Sequence, residues 1–283
     1  MKFACFSFRL LIVIGVAEAM LSLAWAAPPK PLKVLIVCGG CCHDYNTQKE
    51  LLSKGMMERA HVDVEVVHQG GTATNSRIPL YEKKDWYKGF DIVIHDECFS
   101  DVKDNAYTQN IITPHREGLP AVVLHCAMHC YRAGNDEWFK FCGITSPGHG
   151  AHYAYTCKLV GKHPVLAGLP LEWEVPKEEL YYSDKVWSTA TPLGEAMSTD
   201  RNAMQTCIWT NQYGKTRVFD RLLRYDLGLR RTHAMQTIGI VANCITKEKQ
   251  GINLLAYVQW QIADFSIAYR KLDVETVVKT FKK

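Results

Sequence analysis

Four short runs of branched apolar residues limit what this chain can fold into more than any other feature. They are "KVLIVC" (33–38), "VDVEVV" (62–67), "DIVIH" (91–95) and "AVVLH" (121–125), each bounded by turn residues. Three are almost continuously apolar. A strand with one face in water alternates polar and apolar side chains, whereas a strand covered on both faces need not. The runs therefore read as strands of a parallel sheet buried between layers of helix. The intervening segments agree. "TQKELLSKGMMERA" (47–60) carries Leu51, Leu52, Met56 and Met57 at helical spacing, with Thr47 as its N-cap and Glu50 three residues on in a capping-box pattern. "NAYTQNIITPHREG" (105–118) reads as a weaker helix because Pro114 interrupts it, and "NDEWFKFCG" (135–143) as a short one closed by Gly143. Strands alternating with helices of this size predict an open α/β sheet.

In such a sheet, ligands bind beyond the carboxyl ends of the strands. "GGCCHD" follows the first strand, "HDECF" the third and "HCAMHCYR" the fourth, so three polar clusters distant in sequence meet at one edge. The loop "SPGHGAHY" (146–153) adds His149 and His152. His43, with Asp44 beside it, lies just past Gly39-Gly40, where glycine permits a sharp bend and a close backbone approach. His125 and His129 are four residues apart, a spacing that puts both on one face of a helix and can hold a metal or share a substrate. Asp96 and Glu97 supply carboxylates at the neighbouring strand end. Imidazoles in this number suit a divalent ion, zinc most naturally, at His43, His125 and His129, although no C-x-x-C or H-E-x-x-H motif enforces one. The glycine turn is neither G-x-G-x-x-G nor a Walker loop, which argues against a nucleotide phosphate site.

Residues 1–26 combine Lys2 and Arg9 with an apolar stretch ending in Ala24-Trp25-Ala26, the pattern of a cleaved export signal, and 27–32 form an extended spacer. A periplasmic or secreted location is expected, with no membrane span after cleavage. The net charge of +4, from 33 basic and 29 acidic residues, is spread along the chain and gives no footing for nucleic acid. Of eleven cysteines, Cys5 leaves with the signal; Cys38, Cys126 and Cys244 lie in apolar runs, where a free thiol behaves as a small core residue. Adjacent cysteines rarely bridge without strain, so Cys41 and Cys42 are expected to be unbridged bystanders.

Taken in order, "VLIVCGGCCHDY", "HDECF", "PHREGLPAVVLHCAMHCYR", "HGAHY", "HPVLAGLP", "EELYY" and "WTNQYGKTRVF" closely resemble the ThuA-like (trehalose utilisation) domain, over residues 33–219 and nearest to its exported bacterial versions. The resemblance implies a class I glutamine amidotransferase-like fold, a flavodoxin-like three-layer sandwich with a mostly parallel central sheet, and a role in carbohydrate metabolism. It maps Glu179 of "EELYY" onto the family's acidic position, suited to acid–base work on a sugar. "WTNQYGKTRVF" reads as a hairpin turning at Gly214, with Trp209 and Tyr213 as aromatic faces for sugar stacking or for the core. Cys126 stands where the amidotransferase fold places its nucleophile. The flanking glycines and a late His-x-Glu pair are missing, so glutaminase activity is not expected and Cys126 is read as structural. After Phe219 the resemblance stops: the expected Leu-Gly-His has no counterpart, either through divergence or through a shifted reading frame. Within 220–283, "NLLAYVQWQIADFSIAYRKL" has an amphipathic helical pattern.

The expectation is an exported protein acting on a small carbohydrate, a keto-sugar or disaccharide derivative. His43, Glu97, His125, His129 and Glu179 would carry the chemistry, and Asp44, His149, His152, Trp209 and Tyr213 would bind substrate. Hydrolysis, elimination and isomerisation are all open. The alternative is a periplasmic sugar- or metal-binding protein without catalysis. The oligomeric state is not legible.

Overall fold

The first apolar run becomes an inner strand with a neighbour on each side. In a computed structural model, which describes residues 30–221, β1 (Leu32–Gly40) pairs in parallel with β2 (Val62–His68) and with β3 (Ile92–Cys98). β3 pairs in parallel with β4 (Ala121–Leu124). Val34 to Cys38 are fully buried, as a strand covered on both faces requires. β2, at the sheet edge, alternates in burial instead. The expected export signal and the helix pattern near residue 260 lie outside the described residues. Among the described residues, no helix is long and apolar enough to cross a membrane.

Three helices connect and flank these strands: α1 (Tyr45–Met57), α2 (Asn105–Glu117) and α3 (Glu137–Cys142). Beyond β4 the chain forms β5 (Ile144–Thr145), β6 (Tyr153–Leu159), β7 (Glu172–Glu178), β8 (Lys185–Val186), β9 (Ala190–Ser198), β10 (Ala203–Tyr213) and β11 (Thr216–Arg221). The central sheet has the order β2-β1-β3-β4-β11-β10-β9-β6-β7, and β5 and β8 form a separate pair. β11 returns to lie parallel to β4, so five parallel strands follow the doubly wound pattern whose order reverses between β1 and β3. The fold is flavodoxin-like α/β. From β10 onward the sheet continues antiparallel through β9, β6 and β7. The β10–β11 hairpin turns at Gly214, whose φ of 57° favours glycine.

Local chemistry accounts for the departures from expectation. α1 starts at Tyr45, two residues before Thr47, because Asp44 caps it: the Asp44 carboxylate accepts from Thr47 N at 3.2 Å and from Thr47 Oγ1 at 2.6 Å. α2 runs through Pro114 to Glu117. The missing Pro114 N–H leaves the Asn110 carbonyl without its helical donor, and Trp86 Nε1 supplies one at 3.0 Å. Gly39 and Gly40 belong to the end of β1 rather than to a turn wrapped around a ligand. A side chain on either would collide with backbone, at Gln69 and at Cys98 respectively.

Candidate active site

β4 ends in a backbone break that decides where the site lies. His125 follows Leu124 with φ 52° and opens a 3-10 turn, His125–His129. A non-glycine residue held there costs about 1–3 kcal/mol, and only a surrounding that demands the geometry keeps it. The turn aims the buried His125 imidazole at a segment from the far side of the sheet, the last residue of β7 and the one after it. His125 Nε2 lies 3.6 Å from Glu179 Oε2 and 3.9 Å from Glu178 Oε2.

Glu179, itself buried, gathers three imidazoles. His152 Nε2 bonds Oε1 at 2.9 Å, while His149 Nε2 stands 3.6 Å from Oε2. The strand register explains the first contact, since β6 and β7 pair Tyr153 with Glu178 and thereby place the residues beyond each side by side. The second follows from a bridge between His149 and Tyr181, reinforced by Tyr182 N donating to Gly148 O at 2.9 Å. Tyr181 OH donates to Glu179 Oε2 at 3.3 Å. Burial first, then Cys126 and Glu179, push this phenol well above its ordinary pKa, so it stays a neutral donor.

Behind this cluster lies a second one centred on Cys126. Its Sγ is 3.1 Å from His43 Nε2, 3.3 Å from His129 Nε2, 3.1 Å from Tyr181 OH and 2.7 Å from Cys98 Sγ. Cys98 and Cys126 titrate as a pair: the hydrogen bond with Cys126 lowers the Cys98 pKa, and the one with Cys98, followed by burial, raises that of Cys126. Four donor groups among the described residues have metal-ligand proximity, each with atoms within 4.8 Å of one another: His149/His152/Glu179, His43/His125/Cys126, Cys98/Cys126/His129 and Cys41/Cys42/Cys98.

The ThuA family model, described as trehalose utilisation, matches residues 33–222. The chain belongs to the ThuA family. Among solved structures, a ThuA-like protein from Parabacteroides merdae shares 19% identity at a TM-score of 0.61, covering 79% of this chain and 93% of its own. A ThuA-like protein from Bacteroides uniformis shares 12% at 0.58, covering 79% and 96%. A GMP synthase protein from Thermoplasma acidophilum shares 11% at 0.52, covering 80% and 100%. At these identities the likeness is one of fold, the glutamine amidotransferase-like fold. No curated protein matches the sequence.

Within this ThuA domain, several expected site residues lie elsewhere. Glu97 is fully buried among Tyr81, Tyr131 and His95. Asp96, also buried, has its carboxyl pushed well above the usual range, by burial first and then by Glu97. Asp44 is an exposed helix cap. Trp209 is a core residue whose Nε1 donates to Cys142 O at 2.8 Å. Tyr213 is buried against Phe141 and accepts from Arg116. His43, His125 and His129 do not form one metal triad among the described residues; Cys126 stands between them. In a five-residue 3-10 turn, 125 and 129 are not stacked as in an α-helix.

Cys126 is not a detached core thiol but the hub of the second cluster. The strained elbow position belongs to His125, one residue earlier, so an imidazole rather than the thiol occupies the sharp bend. Cys41 and Cys42, expected to be unbridged, are joined as a disulfide. Sequence reasoning passed over Tyr181 and Cys98; both lay inside the quoted "EELYY" and "HDECF", and a tyrosine two residues after the glutamate was the available signal.

Proposed function

We propose that this ThuA protein acts on a small carbohydrate, a keto-sugar or disaccharide derivative, by proton transfer at Glu179. One observation carries the reading: a buried carboxylate reached by three imidazoles, one from the turn after β4 and two from the loop before β6, at the sheet edge where α/β folds bind ligands. Sugars present hydroxyls and, once oxidised, a carbonyl that acidifies the neighbouring C–H. Hydrolysis, elimination and isomerisation of such compounds all need a base and an acid held on the substrate together. Glu179 acts as the base. His152, 40% exposed, passes the proton to water. His125, fixed on the elbow, donates to the substrate oxygen on which charge develops.

The donor set His149, His152 and Glu179 also fits a divalent cation such as zinc. Such an ion would polarise a sugar hydroxyl or carbonyl. The apolar leader, ending in Ala24-Trp25-Ala26, supports a reaction outside the cytoplasm.

The test combines calorimetric binding with turnover assays across native and oxidised mono- and disaccharides, on the parent and on Glu179→Gln. Elemental analysis of the parent and of His152→Ala runs beside them. The expected result is turnover of an oxidised sugar by the parent, loss of turnover in Glu179→Gln, and retained binding. Binding without turnover by the parent would make the chain a sugar-binding protein. No binding of any sugar would remove the carbohydrate reading.

A further inference from the structure

Four sulfurs beside the site form a row. Cys41 and Cys42 are bonded to each other. Cys98 Sγ stands 3.7 Å from Cys41 Sγ, and Cys126 Sγ stands 2.7 Å from Cys98 Sγ. Exposure falls along the row: Cys42 is exposed, Cys41 half-buried, and Cys98 and Cys126 buried. Cys130, although close, is engaged with backbone, donating to Glu97 O and accepting from Phe99 N. We infer that Cys41, Cys42, Cys98 and Cys126 form a thiol–disulfide relay, which moves a disulfide between the surface pair Cys41–Cys42 and the buried pair Cys98–Cys126.

The exchange proceeds in two displacements. The Cys98 thiolate attacks Cys41 Sγ; a Cys41–Cys98 bond forms, the Cys41–Cys42 bond breaks, and Cys42 leaves with the electron pair and takes a proton from water. The Cys126 thiolate then attacks Cys98 Sγ; a Cys98–Cys126 bond forms and Cys41 leaves as a thiolate that is protonated in turn. Cys41 and Cys42 gain two electrons and two protons, and Cys98 and Cys126 give up the same, so no outside oxidant enters. Attack requires thiolates. Cys98 Sγ lies 2.7 Å from Cys126 Sγ, and His43 and His129, at 3.1 and 3.3 Å from Cys126 Sγ, are placed to accept the protons these two thiols give up. Run in reverse, the relay releases oxidising equivalents at the exposed Cys42 to an external dithiol. Closure of Cys98–Cys126 also removes the thiol that faces Tyr181, which ties the redox state to the hydroxyl that donates to Glu179. The relay does not depend on what that site binds.

The experiment is alkylation of the full chain with iodoacetamide, without reductant, followed over time by disulfide peptide mapping. Protein that purifies reduced first receives one equivalent of glutathione disulfide. Alkylation caps Cys42 whenever it is released and so pulls the exchange forward. The parent is expected to end with Cys41 and Cys42 alkylated and Cys98–Cys126 bonded. Cys98→Ser should leave Cys41–Cys42 intact. Cys126→Ser should accumulate a Cys41–Cys98 crosslink with Cys42 alkylated, a trap that stays informative if the Cys98 variant misfolds. Three outcomes overturn the relay in folded parent: a persistent Cys41–Cys42 bond with free Cys98 and Cys126 thiols, a Cys98–Cys130 bond instead, or about one metal ion per chain that is lost in both serine variants.

Discussion

Two glutamates in this molecule sit among histidines and tyrosines, and their settings separate structure from chemistry. Glu97 is on β3, a strand with neighbours on both sides. Its Oε1 accepts from Tyr81 and Tyr131, each at 3.1 Å, and lies 3.0 Å from His95 Nδ1. The network continues inward: His95 Nε2 meets His115 Nε2 at 3.1 Å, and His115 Nδ1 donates to Leu119 O at 2.8 Å. Every member is buried, with Trp86 packed against Tyr81, His95 and His115. Glu179 has a similar retinue in His125, His149, His152 and Tyr181, but it follows the last residue of β7, and two of its imidazoles come from a partly exposed loop. Residue type does not tell a packing network from a reactive one. Access of solvent and substrate to its outer edge does.

The sharpest way to break this comparison is to remove each carboxylate in turn. Glu179→Gln is expected to lower turnover of the responsive sugar by about 100- to 10,000-fold, the range for losing a positioned acid–base group. Its stability should stay within about 1 kcal/mol of the parent in urea unfolding. Comparable catalytic loss from a well-folded Glu97 variant would erase the distinction. Glu97→Ala should instead cost about 3 kcal/mol of stability, because Tyr81, Tyr131 and His95 lose a shared buried acceptor.

His115 sharpens the contrast through pH. Burial first, then His95, lower its pKa from 6.5 to about 3. The unfolded chain takes up this proton as pH falls through 6.5, and the folded chain does not until about 3. Stability is therefore complete above 6.5 and declines by about 1.4 kcal/mol per pH unit across that window. Urea titrations of parent and His115→Phe between pH 4 and pH 7 measure it; the variant should be less stable at pH 7 and show a flatter slope. The smallest expected effect is at Trp209. Trp209→Phe loses the bond to Cys142 O and should cost about 1–2 kcal/mol, with sugar affinity unchanged. A fall in affinity at equal stability would return Trp209 to the site.

How much of this was legible in the sequence varies with the range of the interaction responsible. "KVLIVC" and "AVVLH" announced buried strands because burial on both faces is written into consecutive residues. The hairpin at Gly214 and the stop at Gly143 are local backbone effects, legible for the same reason. Thr47 was displaced as cap by Asp44, because several polar residues lay within one turn and only the geometry chose among them. Trp209 and Glu97 were misplaced because alternation along a strand assigns a side chain to a face without saying what covers that face.

The sequence alone determined the doubly wound sheet, the edge where polar loops gather, and the family, since periodicity and ordered motifs survive without coordinates. Tertiary structure alone decided that Glu179 gathers three imidazoles while Glu97 is enclosed in the core, that His125 and not Cys126 takes the strained elbow, and that four cysteines align from surface to interior. Those pairings join residues from about 30 to more than 50 positions apart. The contacts depend on strand register and loop closure, which no local pattern encodes.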